Sequence, residues 1–77
     1  DDHERLRAVA SAIASLSPDR RAVYTLAELE GMSAPEIAEA LELKLNTVYS
    51  KLRRARHDVA QSLAAAGFAP SRHQEQP

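Results

Sequence analysis

Asn46, Tyr49, Ser50 and Arg53 fall at spacings of three, one and three residues, on what reads as the exposed, N-terminal half of a helix. An asparagine amide matches the paired donor and acceptor of an adenine edge, and a guanidinium fork matches the two acceptors of guanine. These four are the candidates for contact with base edges. Ser33, Lys44, Thr47, Lys51, Arg54 and Arg56 surround them and are the candidates for contact with backbone phosphates, which fix register without carrying sequence. Three positions have a second reading. Asn46 either reads a base or caps the helix, Tyr49 either touches a base or packs on a rim, and Thr47 either supports a turn or touches a phosphate.

Charge is segregated along the chain. Lys44, Lys51, Arg53, Arg54 and Arg56 stand in a stretch with no acid, while Glu28, Glu30, Glu36, Glu39 and Glu42 stand in one with no base. The formal net charge of the 77 residues is −1, but a local positive patch attracts phosphates even when the sum is near zero. The acidic stretch is either a solubilising face or a contact surface for a protein partner.

Other chemistries find no support. There are no cysteines, so neither a disulfide nor a thiolate metal site is available. His3, His57 and His73 are far apart and lack the short spacing of ligand pairs. Ser50, His57 and Asp58 lack the strand–turn–helix elbow of a nucleophilic serine. No enzyme, metal, cofactor or small-molecule substrate is expected. No apolar run approaches the 18 or more residues of a membrane span, and no leader is visible at the acidic start. The absence of an initiator Met suggests a piece of a longer chain.

The elements that must position these residues are helical. Alanine is abundant and no period-2 pattern appears. A first helix is expected from about Asp2 to Ser15, with Leu6, Val9, Ala10, Ile13 and Leu16 as its apolar stripe. Ser17 then caps a second helix that has Pro18 at its first position. That helix runs to about Glu30, with Val23, Leu26, Ala27 and Leu29 inward, and Gly31 ends it. Ser33-Ala34-Pro35-Glu36 has the form of a capping box and opens a short helix to Leu41, with Ile37, Ala38 and Leu41 inward. After a turn around Glu42 to Leu45, a fourth helix continues to about Ala65. Its stripe Val48, Leu52, Ala55, Val59 and Leu63 has spacings of 4, 3, 4 and 4. A short helix, a tight turn and a longer basic helix make a helix-turn-helix. The fold class expected is all-α: a compact four-helix domain over residues 1–66, winged-helix-like without the wing. The polar tail 67–77 is expected to be disordered.

Several strings together resemble a known family. They are Leu16-Ser17-Pro18 with Arg20-Arg21-Ala22-Val23, Glu28 to Ser33, Glu36 to Leu41, and Asn46-Thr47-Val48-Tyr49-Ser50-Lys51-Leu52-Arg53-Arg54-Ala55-Arg56. From about Ser15 to Leu63 the chain resembles region 4 of bacterial sigma factors of the extracytoplasmic-function type. The resemblance implies recognition of the promoter −35 element as double-stranded DNA. It also implies docking on the β flap of RNA polymerase, sequestration by an anti-sigma factor, and a bacterial, cytoplasmic setting. Region 2, which melts the −10 element, is expected to lie outside these residues.

The chain departs from the family pattern in its turn. Glu42 stands where glycine is usual, Lys44 where a small capping residue is usual, and Tyr49 where a base is common. Base preference is therefore not carried over. Two other readings share these features: the effector domain of a LuxR-type regulator, and a sigma-like decoy that binds an anti-sigma factor and no DNA.

Overall fold

The computed structural model describes residues 2–68. These form four helices and, among the described residues, no strand: α1 (Asp2–Ala14), α2 (Pro18–Glu28), α3 (Ala34–Leu41) and α4 (Leu45–Ala65). The all-α helix-turn-helix architecture expected from the sequence is the one observed.

The core has two parts. Val23, Ile37, Val48 and Leu52 form one cluster where α2 and α3 meet the first half of α4. Ala12, Leu16, Ala55 and Val59 form the other, where α1 meets the second half. Tyr24 packs against both. Val23, Ile37 and Val48 are fully buried, and each such side chain stabilises the fold by roughly 1.5–3 kcal/mol. The expected stripe of α4 is the buried one: Val48, Leu52, Ala55 and Val59 lie inside, with Leu63 packed against them.

The stripe expected for α1 needs correction. Leu6 and Ala10 are exposed, Val9 and Ile13 are half-buried, and the buried residues are Ala12 and Leu16. Ala12 and Leu16 are the residues of this segment that pack against Ala55 and Val59 of α4. At the end of α2, the helix stops at Glu28 rather than near Glu30, and Leu29 is exposed rather than inward. Gly31, at φ +72°, lets the chain reverse there, and the Met32 amide donates to the Leu26 carbonyl at 3.0 Å. Ser17 is the N-cap residue of α2, but its hydroxyl accepts no backbone amide and instead donates to Asp19 Oδ1 at 2.8 Å.

The tail expected to be disordered falls mostly outside the described residues. Of its residues, Phe68 is placed against α1 and the end of α4. Its amide donates to the Leu63 carbonyl at 2.8 Å, and the Arg5 guanidinium lies 5.6 Å from its ring centroid.

Candidate nucleic-acid interface

The helix that carries the candidate residues is aimed by the turn before it. α3 opens with the expected capping box. The Glu36 amide donates to Ser33 Oγ at 3.3 Å, and the Ser33 amide donates to Glu36 Oε1 at 2.8 Å. The Ser33 backbone amide first, and the Ser33 side chain second, hold the Glu36 carboxyl below the usual carboxylate range. α3 closes on Glu42, which is left-handed at φ 57° and ψ 48°. The Leu43 amide then reaches back to the Ala38 carbonyl at 2.9 Å. Glutamate thus occupies a conformation that suits glycine, because a Cβ crowds the backbone there.

Lys44 is the N-cap of α4 and makes no side-chain cap bond. This settles one open reading. Asn46 does not cap the helix; it lies inside the first turn of α4, exposed.

An open groove of about 910 Å³ runs along the outer face of α4. It is lined by Asn46, Thr47, Ser50, Lys51, Arg53, Arg54 and His57, with Arg20 contributed by α2. Three of the four base-contact candidates, Asn46, Ser50 and Arg53, therefore share one surface, with Thr47, Lys51 and Arg54 beside them. Tyr49 is 52% exposed but lies outside the groove lining. So do Lys44, Ser33 and Arg56.

The cations of this face differ in what already holds them. Arg53 has no ion-pair partner among the described residues. Lys51 pairs with Asp19 of α2. That ammonium, helped by the Ser17 hydroxyl, holds the Asp19 carboxyl far below the usual range. Arg54 Nε lies 3.3 Å from Asp58 Oδ1, one turn along the same helix. Arg56 pairs with Glu28 at the end of α2, Nη2 to Oε2, at 2.7 Å. Tyr24 lies near that pair, and burial pushes its phenol up.

Sequence reasoning missed Arg20 as part of the groove and, although it put His57 on the same exposed face, did not count it among the contact candidates. It also missed Asp19 and Asp58 as counter-charges of the groove, and Glu28 as that of Arg56. His57 was legible from its spacing with Asn46, Ser50 and Arg53. Asp58 was legible one turn beyond Arg54; Arg20, Asp19 and Glu28 needed the packing of α2 against α4, which no local signal gives. All five acids of the acidic stretch are exposed, but the fold divides them: Glu28 neutralises Arg56 and Glu36 caps the start of α3.

Among the described residues, no group of three His, Cys, Asp or Glu side chains is arranged to hold a metal ion. No helix there is long and apolar enough to cross a membrane.

Four helices, the last two joined by a tight turn and the last bearing a basic outer groove, define a helix-turn-helix DNA-binding domain. Residues 6–59 match the family described as sigma-70, region 4. The chain belongs to that family. It is also 41% identical over 54 residues to the ECF RNA polymerase sigma factor SigE of Mycolicibacterium smegmatis. That match covers 70% of this chain and 21% of the relative, so the chain spans about a fifth of the relative's length.

Proposed function

We infer that α4 enters the major groove of promoter DNA at the −35 element and that the chain serves transcription initiation by an alternative sigma factor. The observation that carries this reading is the groove itself. Asn46, Ser50 and Arg53 present base-matching groups on one exposed face of α4, while Lys51 and Arg54 flank them. This is the arrangement in which a recognition helix reads bases and its neighbours hold phosphates. Tyr49, Ser33, Lys44, Thr47 and Arg56 remain candidates at the edges of the contact.

RNA polymerase is the second partner, through its β flap. A shallow apolar concavity of about 400 Å³, lined by Pro18, Arg21, Ala22, Thr25, Leu26 and Leu41, lies on α2 and α3. No residue of α4 lines it, so docking there leaves the basic groove free. An anti-sigma factor completes the proposed set of partners. The setting is the bacterial cytoplasm, and the role is binding rather than catalysis. A decoy that binds only an anti-sigma factor has no use for an Arg53 that has no ion-pair partner among the described residues and stands beside Asn46 and Ser50.

The test is a fluorescence-anisotropy titration of the 77-residue chain against duplexes selected from a random-sequence pool. One module of this size buries roughly 600–1,000 Å² on DNA, so binding by the isolated chain is weak. Affinity should fall with salt with a log–log slope of about −0.9 per phosphate. Arg53→Ala with Arg54→Ala should abolish it. Selection of no sequence, or affinity indifferent to salt, overturns the reading.

A further inference from the structure

One wall of the groove comes from outside the helix-turn-helix. Arg20 stands in the first turn of α2, yet it lines the groove together with seven residues of α4. Its neighbour Arg21 goes elsewhere. Arg21 Nη2 donates to the Ala14 carbonyl at 3.0 Å and to the Leu16 carbonyl at 2.9 Å, and so closes the end of α1. The two adjacent arginines, equivalent by type, are therefore given different work by the fold.

Arg20 Nη1 lies 3.6 Å from Asp58 Oδ2, and Asp58 Oδ1 takes Arg54 Nε at 3.3 Å. One carboxylate gathers two guanidiniums from two helices into one place. Two cations and one anion leave the cluster with a net charge of +1, opposite to that of one phosphodiester. Each guanidinium carries five N–H donors, of which Asp58 engages few, so donors remain for a second acceptor. The side chains stay accessible, at 37% for Arg20, 62% for Arg54 and 32% for Asp58. Ion pairs this exposed are weak and rearrange readily.

We propose that Arg20 and Arg54 form a clamp on a single backbone phosphate of bound DNA, with Asp58 as the positioning residue that gathers them. The clamp rests on the DNA-reading role of α4 given above and extends the contact to α2. Arginine suits it because its planar fork binds a phosphate through two parallel N–H donors. Gathering the two forks beforehand lowers the ordering cost of the contact.

Because a phosphate contact is indifferent to sequence, the test uses a labelled random-sequence duplex in a salt series, with the 77-residue chain and circular dichroism to verify folding. Arg20→Ala should weaken binding roughly five- to tenfold and reduce the magnitude of the log–log salt slope by about 0.9. Arg20→Lys should restore the slope but not the full affinity, since an ammonium is a point charge without the fork. Arg21→Ala should lower the melting temperature and leave the slope unchanged. Asp58 is tested by a double-mutant cycle: with Asp58→Asn in place, adding Arg20→Ala should cost less than about twofold. An equal loss in both backgrounds removes Asp58 from the proposal. If Arg20→Ala leaves affinity and slope intact while the Arg53 and Arg54 double variant abolishes binding, the clamp falls and the DNA-reading role stands. If the unmodified chain binds no duplex, both fall.

Discussion

Arg56 Nη2 meets Glu28 Oε2 at 2.7 Å, tying the middle of α4 to the last residue of α2. The arginine that the sequence offers as a phosphate contact thus has an internal partner and lies outside the groove lining. Arg56→Ala should therefore weaken DNA binding less than Arg53→Ala does. It should destabilise the fold by a few tenths to about 1 kcal/mol, the range of an exposed pair. Parallel anisotropy and urea titrations of the two variants check this; a larger binding loss for Arg56→Ala would return it to the interface.

The turn between α3 and α4 carries a local cost. Glu42 is left-handed, and glycine relieves the Cβ crowding while adding entropy to the unfolded chain. Glu42→Gly should give a net stabilisation of about 0.5–1 kcal/mol. Lys44→Ser should add about 1 kcal/mol by supplying the missing N-cap acceptor. Both are read as increases in the urea midpoint, and a decrease for Glu42→Gly would show that the left-handed turn carries no strain.

Core substitutions should be severe, because the domain is small. Ile37 is fully buried where α3 meets α2 and α4. Ile37→Ala should cost about 2–5 kcal/mol, a large part of the roughly 5 kcal/mol or less that so small a core supplies. Circular dichroism at 25 °C should show the variant largely unfolded or melting far below the unmodified chain. A melting temperature within a few degrees of the original would overturn this account of the core.

Acid should weaken the fold through two carboxylates. Asp19 and Glu36 are both held below their ordinary values of 3.8 and 4.5. Depressed folded-state values mean that the stability they contribute is complete above those ordinary values. It is lost as pH falls through the lower folded-state values. Melting temperature should drop between pH 5 and pH 2, and Asp19→Asn with Glu36→Gln should flatten the drop. An identical pH profile for the double variant would show that other groups govern acid sensitivity.

α3 and α4 were legible in the sequence because each announces itself locally. Ser33 and Glu36 close a reciprocal cap, and the α4 stripe is long enough for its period to be unmistakable. α1 was legible as a helix but not in its buried face, because its small residues make several stripes equally plausible. Which one is buried depends on where α4 crosses, a fact that Ala12 and Leu16 share but cannot signal. The groove followed the same division. Its α4 residues could be placed by helical spacing alone, whereas Arg20 joins it, and Asp19 pairs with its Lys51, from a segment about thirty residues away, which only the α2–α4 packing brings close.

α4 passes through both halves of the core as one continuous helix of 21 residues, about 30 Å at 1.5 Å per residue. A rod gripped at both ends has no freedom to roll at one end alone. Ala55 and Val59 seat it against α1, and Val48 and Leu52 seat it against α2 and α3. The azimuth at which Asn46, Ser50 and Arg53 face outward is therefore fixed partly by Ala12 and Leu16, neither of which lines the groove. Enlarging Ala12 would act as a torque on the reading face, turning every base-facing group by the same angle while leaving their chemistry intact.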